Sequence, residues 1–408
     1  MKDTNFSDFF DLSCNAAEIQ KFPTIYKRTS TGAVQEWRQE ILVDKYRTIS
    51  GQQNGKHVVS EWTICIPTNV GKKNERNGAA QALFEVAAAY KKKIDKEYHE
   101  DIKDIDVPKH FLPMLAEDFK KNKDKLFAKN SKLYSQPKLD GMRCIATKNG
   151  LFSRNALHIV SCPHIVEQLK PFFEKYPHIV LDGELYNHEY KDNFDELMSI
   201  FKRTKPSKED LEKSKELGQF HIYDCANSVE LRNFPFRMRT ATLGAIIGEG
   251  LSARYGNILK ECESIVIVPT SFIYTAEDAK NLLEKYLSEG YEGQIIRTDA
   301  EYQNKRTKDL LKDKEWKDSE FELIRFEEGK GNWAGKAKKA WFKLDDGSGR
   351  EFKASVKGTM AYTKQLLIDK DKYVGKMCTV TYCPQRTPDG IPRFGRVKEF
   401  DRTDNITK

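Results

Sequence analysis

Ser135-Gln136-Pro137-Lys138-Leu139-Asp140-Gly141-Met142-Arg143 is the stretch on which the reading of this chain turns. An extended run ends on a lysine, followed by an acidic turn and an arginine. A lysine amine attacks phosphorus only when deprotonated, and nearby cations, a metal ion or desolvation lower its pKa. Asp140 can hold the amine or a metal-bound water, and Gly141 permits a tight turn close to a phosphate. Arg143 offers charge-assisted hydrogen bonds to phosphate oxygens. A plain hairpin turn at Asp140-Gly141 with solvated charges around it is the alternative, and the stretch alone does not choose.

The residues that follow narrow the choice. In order come Ser153-Arg154, Asp182-Gly183-Glu184, Tyr223-Asp224, Glu292-Gly293 and Lys312-Asp313-Lys314, each at or just after a predicted strand end. Singly, these read as turns, a core aromatic and a solvated lysine patch. Such an ordered series around one lysine is hard to obtain by chance.

Composition sets outer bounds. A chain of 408 residues suggests two or three domains. With 39% hydrophobic and 11% aromatic residues it can fill folded cores. A mean hydropathy of −0.68 describes a polar exterior. No run approaches the ~18 apolar residues of a membrane-spanning helix. Met1-Lys2-Asp3-Thr4 opens no signal pattern, so a cytoplasmic protein is expected. Lys+Arg of 69 against Asp+Glu of 61 gives a net charge of +8, a mild lean toward a polyanionic partner. The eight cysteines form no Cys-x-x-Cys pair and no histidine cluster has ligand spacing, so they read as small buried residues rather than a zinc site.

Texture divides the chain in three. Val34–Ile41, Lys45–Ile49 and Val58–Cys65 read as strands punctuated by Gly32, Gly51 and Gly55. A helix carrying Leu83, Val86, Tyr90 and Ile94 follows and ends in Lys91-Lys92-Lys93, a run that normally reads as a solvated helix end. Asp104 to Asn130, with Pro108 and Pro113, reads as a connector with one short helix. Strands are expected at Gln136–Ala146, Ile179–Leu185, Phe220–Asp224, Ser264–Pro269 and Gln294–Arg297, with a helix over Ala276–Ser288. From Phe321 the chain is glycine-punctuated and strand-like, with a helix over Ala361–Asp369, and its length suits a small β-barrel of OB type.

The series resembles the covalent nucleotidyltransferase superfamily, and within it the small ATP-dependent DNA ligases of phage and viral type. Motif I is similar to Lys138-Leu139-Asp140-Gly141-Met142-Arg143, motif Ia to Ser153-Arg154-Asn155 and motif III to Leu181-Asp182-Gly183-Glu184. The aromatic-Asp motif matches Tyr223-Asp224, motif IV Glu292-Gly293, and motif V ends in Lys312-Asp313-Lys314, opened by Arg306. The resemblance implies that Lys138 carries AMP, Gln136 reads the adenine amine and Tyr223 stacks on the base. Glu184 would hold the ribose hydroxyls, and Arg143, Arg154, Arg306, Lys312 and Lys314 would surround phosphate. Asp140, Glu184 and Glu292 would serve Mg²⁺. Cations around an in-line phosphate are what phosphoryl transfer requires.

Gly390-Ile391-Pro392-Arg393-Phe394-Gly395-Arg396-Val397-Lys398 resembles motif VI, in which Arg393 and Lys398 would orient the pyrophosphate of ATP. The family's Arg-x-Asp-Lys reads here as Arg396-Val397-Lys398-Glu399, and a basic strand touching DNA backbone is the alternative. Gly331 to Lys339 reads as a basic loop able to touch nucleic acid, or as a plain solvated loop. The N-terminal region more faintly resembles WGR-like modules, though Trp62 is followed by Thr63.

The expected architecture is α+β and multidomain. It comprises a small N-terminal sheet-plus-helix module (1–105), an ATP-grasp-like adenylyltransferase domain of antiparallel sheets and helices (106–316), and an OB-fold barrel (317–408). The implied activity is sealing of 3′-hydroxyl/5′-phosphate nicks in duplex DNA, with ATP and Mg²⁺, by a monomer in DNA repair, replication and recombination. An RNA ligase, a GTP-dependent capping-type enzyme, and a DNA-end-binding protein without activity stay open. An NAD-dependent ligase fits less well, lacking its four-cysteine zinc site.

Overall fold

The strand-rich start of the chain builds its own sheet. β1 (Gln20–Lys21), β2 (Ile25–Arg28), β3 (Val34–Leu42), β4 (Lys45–Gln52), β5 (Val58–Val59) and β6 (Thr63–Ile64) form six antiparallel strands around the β3–β4 hairpin. The single strand expected over Val58–Cys65 is broken in two. Trp62 sits in the break, with the Lys45 ammonium 5.4 Å and the Arg47 guanidinium 4.6 Å from its ring. α1 (Gly78–Ile94) is N-capped by Asn77 and packs Val86 and Tyr90 against Phe22, Ile25, Trp37 and Ile41. Lys93 is not a solvated helix end: its ammonium lies over Trp37 and Tyr98, while Lys91 and Lys92 are exposed.

This computed structural model describes residues 18–400 except 30, 96–97, 107–110, 228–232, 256–263 and 388. Cys14, Pro108 and Cys262 lie outside them. Met1–His110 with Glu328–Lys336 form one compact unit, and Phe111–Glu327 with Ala337–Lys408 the other. The remaining cysteines, Cys65, Cys144, Cys162, Cys225, Cys378 and Cys383, are buried free thiols. No helix among the described residues is long and apolar enough to cross a membrane.

In the second unit the connector yields β7 (Leu115–Asp118), not expected from sequence, and α2 (Lys123–Lys129). The extended run expected from Gln136 to Ala146 is two strands, β8 (Leu133–Lys138) and β9 (Met142–Thr147), and they belong to different sheets. β10 (Gly150–Ser153), α3 (Pro163–Lys175), β11 (Ile179–Tyr186), α4 (Phe194–Phe201), α5 (Lys208–Leu217), β12 (Gln219–Asn227), α6 (Phe236–Tyr255) and β13 (Ile265–Ile267) follow. β14 (Ser271–Ile273), α7 (Ala276–Ser288), β15 (Gly293–Arg297) and β16 (Arg306–Asp313) complete the region. One sheet runs β10-β9-β11-β12-β13 and the other β14-β8-β15-β16-β7. Pairing is antiparallel, as expected, except at the edges, where β12–β13 and β16–β7 are parallel.

The crossing between sheets explains Gly141. A Cβ there would stand 2.3 Å from the Leu185 carbonyl oxygen and 2.8 Å from the Glu184 side chain, so only glycine lets the chain pass β11 this closely. Gly293 is held for the same reason, with φ +150° and a Cβ position 2.3 Å from the Asp313 carbonyl oxygen. These contacts give the glycines a packing role that a turn signal alone does not reveal.

The C-terminal strands close into a barrel, β17 (Lys317–Glu328), β18 (Ala337–Lys343), β19 (Glu351–Ser355), β21 (Pro392–Glu399) and β20 (Met377–Arg386), with α8 (Met360–Ile368) between β19 and β20 in sequence. Phe321, Leu323, Phe342, Phe352 and Val380 fill it.

Candidate active site

β8 is buried along its length because β14 and β15 flank it, and it delivers Lys138 at its end. Its partner on β15 is Gly293, and the Glu292 amide donates to the Lys138 carbonyl at 3.1 Å. That register carries the Glu292 side chain to the lysine. Lys138 Nζ donates to Glu292 Oε2, and Lys314 Nζ donates to Glu292 Oε1 at 2.7 Å. One buried carboxylate thus bridges two ammonium groups.

This arrangement sets the protonation state of the nucleophile candidate. Burial pulls the Lys138 amine down, but the adjacent Glu292 carboxylate more than offsets it, and the pKa stands above the ordinary lysine value. The expectation of a depressed pKa is therefore not met, because the nearest charge is an anion. Glu292 itself is lowered: burial raises it, and its two lysines outweigh that. Lys312 is lowered, first by burial and then by Lys314, Lys138 and Arg306.

At the other end of the cleft, the Tyr223 hydroxyl donates to Glu184 Oε2 at 3.2 Å. Burial pushes the Glu184 carboxyl up to about 7, against the pull of Arg143 and Lys138. The Arg143 guanidinium lies 4.9 Å from the centre of the Tyr223 ring. It is not a free phosphate cation: Nε donates to Asp182 Oδ1 at 2.6 Å and Nη2 to the Met114 carbonyl at 3.2 Å. Asp182, fully buried, also accepts from the Tyr302 hydroxyl at 2.6 Å.

Gln136, Lys138, Arg143, Arg154, Glu184, Tyr223, Glu292, Arg306, Lys312 and Lys314 all line one cleft of about 280 Å³ between the two sheets. Asp140 and Arg393 do not line it. They form a two-pronged ion pair with each other, and Arg393 also lies 4.2 Å from the Phe194 ring centre. Lys398 is not brought to the cleft either; it pairs with Asp318 on the barrel exterior and is 59% exposed. Arg297 is the residue that sequence reasoning missed. It is 2% exposed, lines the cleft, and bonds both Gln136 and Asp224. Its only sequence signal is a charge ending the otherwise uncharged run Gln294-Ile295-Ile296.

The Glu184 carboxyl carries a pH consequence. Its folded pKa lies above the ordinary value of 4.5, so the folded state binds more protons than the unfolded between about 4.5 and 7. Its contribution to stability is full below that window and is lost as pH rises through about 7. Glu184→Gln should flatten that decline by on the order of 1 kcal/mol, since solvent reaches the cleft wall. Melting curves of both proteins from pH 5 to 8 check this, and parallel curves would refute it.

Residues 113–314 match the family model of the ATP dependent DNA ligase domain. The chain is 25% identical over 346 residues to a DNA ligase of African swine fever virus, covering 76% of each. It is 23% identical over 290 residues to the DNA ligase of Enterobacteria phage T4, covering 60% of this chain and 58% of that one. A solved Lig E DNA ligase shares the fold, with a TM-score of 0.55 at 20% identity over 71% of this chain and 99% of its own. The matched stretch holds every cleft-lining residue named above, from Gln136 to Lys314. On these matches, and on a mixed α+β core followed by a closed barrel, this chain belongs to the ATP-dependent DNA ligases.

Proposed function

We propose that the chain seals 3′-hydroxyl/5′-phosphate nicks in duplex DNA through an AMP carried on Lys138. The observation that supports this best is one cleft in which an amine, two further lysines and two carboxylates converge. In the first step Nζ of Lys138 attacks the α-phosphorus of ATP, a P–N bond forms, and pyrophosphate leaves with the P–O bond pair. Glu292, already accepting a hydrogen bond from Nζ, is the base within reach for the amine proton. In the second step an oxygen of the nick 5′-phosphate attacks that phosphorus and the lysine leaves. In the third the 3′-hydroxyl attacks the 5′-phosphate and AMP leaves.

Gln136 and Tyr223 would take the base, Glu184 the ribose, and Arg154, Arg306, Lys312 and Lys314 the phosphates. Mg²⁺ is bound through one or two carboxylates plus substrate phosphates and water rather than by a protein cage. Glu184 and Glu292 fit that demand, and no group of three or more metal-ligating side chains occurs among the described residues. Bound there, the ion would neutralise charge developing on the phosphates.

Incubating the protein with α-labelled ATP, and separately GTP, then chasing with nicked duplex tests the reading. Covalent label from ATP that leaves on the chase with sealing of the nick is expected. No protein-bound label, or label from GTP alone, would overturn it.

Arg393, paired with Asp140, is read as the motif VI residue that acts on pyrophosphate; Lys398, paired on the exterior, is not. Arg393→Ala should slow self-labelling by ~100-fold, the scale of losing one charge-stabilising donor. Lys398→Ala should change it by less than about twofold, as a surface pair contributes little. Equal losses in a labelling time course would refute the distinction.

The first compact unit is read as a sequence-independent grip on duplex beside the nick. Exposed Lys91 and Lys92 would act through phosphates, so replacing both by alanine should weaken binding. It should also make the slope of log affinity against log salt shallower by up to ~2. An unchanged slope in a salt titration would remove DNA from that unit's role.

A further inference from the structure

Gln136 poses a problem that its sequence position does not solve. A side-chain amide accepts at one end and donates at the other, so which end faces a ligand decides what it recognises. Gln136 is 2% exposed, and its amide is nearly saturated within the protein. Nε2 donates to the Tyr223 carbonyl at 3.1 Å and to Thr270 Oγ1 at 3.0 Å. Oε1 accepts from Arg297 Nε at 3.0 Å. Both donors and one lone pair are used, and what remains is the second lone pair of Oε1.

Two of the three partners have fixed polarity. A guanidinium only donates and a backbone carbonyl only accepts, whereas the Thr270 hydroxyl adapts to either end. Arg297 is itself immobilised: Nη1 donates to Asp224 Oδ2 at 2.7 Å, and Asp224, 0% exposed, is gripped from the other side by Arg239 Nε at 2.9 Å and Nη2 at 3.0 Å. The pair that fixes the amide is thus anchored in the buried core.

We infer that Arg297 is a specificity-determining positioning residue, holding Gln136 with its carbonyl as the free acceptor and so favouring a purine that carries a 6-amino group. A 6-amino group donates to that lone pair. A 6-oxo group, as in guanine or hypoxanthine, sets acceptor against acceptor. The inference rests on the proposed adenylation at Lys138 and assigns the base preference of that site to a residue outside the motif lysine.

The test is the ratio of kcat/KM for self-labelling with ATP and with inosine triphosphate. Arg297→Met removes one of the two partners of fixed polarity at similar length and leaves the Tyr223 carbonyl as the other. It should therefore lower the ATP preference severalfold, up to about tenfold, the scale of one hydrogen bond. Arg297→Lys retains a donor and should restore most of the ratio. In Gln136→Glu both outer atoms are acceptors, so adding Arg297→Met there should leave the ratio within about twofold. Melting temperatures identify any variant that fails to fold, and if Arg297→Met does, the Lys variant in the two Gln136 backgrounds carries the comparison. A merely structural Arg297 would slow both nucleotides equally and leave the ratio unchanged, which would overturn the inference. Absence of ATP labelling in the unsubstituted protein would instead defeat the adenylation reading, a separate result.

Discussion

Replacing Lys138 by alanine should abolish covalent labelling by ATP, a loss of roughly 10³-fold or more, as expected when the nucleophile of a multi-step reaction is removed. The same variant should still join a nick that already carries AMP on its 5′-phosphate, because that step needs no attack by Nζ. The split separates a nucleophile from a residue that merely packs the cleft. It also has a pH signature. The amine is held above its ordinary pKa by Glu292, so labelling by the intact enzyme should rise with pH well past neutrality. Labelling of Lys138→Ala at the normal rate, detected on a denaturing gel, would refute the assignment.

The second large effect lies behind the site. Asp224 is fully buried and is the counter-ion of both Arg239, 1% exposed, and Arg297, 2% exposed. Asp224→Asn keeps the shape and removes the charge, leaving two buried guanidinium groups without it and turning an amide donor toward them. Breaking a buried ion pair on one side costs about 3–5 kcal/mol, because the remaining charge is uncompensated. In a unit of this size the melting temperature should fall by on the order of 10 °C. A calorimetric shift below about 2 °C would mean that water or another acceptor replaces the carboxylate. The aromatic-Asp motif therefore splits by role: Tyr223 faces the cleft, and Asp224 holds up the floor that Arg297 and Gln136 stand on.

Much of this chain is legible in its sequence. The helix over Ala276–Ser288 coincides with the observed one, since a threonine cap, a capping-box aspartate and a 3.6-residue apolar period are all local. The strands around Leu181–Glu184, Tyr223 and Gln294 were likewise marked by β-branched and aromatic runs ending at turn residues. The order of the motif residues along the chain was enough to nominate the cleft lining from Gln136 to Lys314. Periodicity, capping and composition act over a few residues, and sequence records them directly.

What the tertiary structure alone decided is partnership. β8 and β9 look like one extended run, and their separation into two sheets depends on Gly141 clearing a carbonyl on β11. Glu292 lies 154 residues from Lys138 in sequence, yet it sets the charge state of that amine. Arg393 meets Asp140 across 253 residues, while Lys398, five positions later on the same strand, meets Asp318 instead. Arg297 carried no motif, and its role follows from the two side chains it touches. A charge's sequence neighbourhood says that it exists; only the packed fold says which opposite charge it finds, and in a buried site that choice governs both pKa and function.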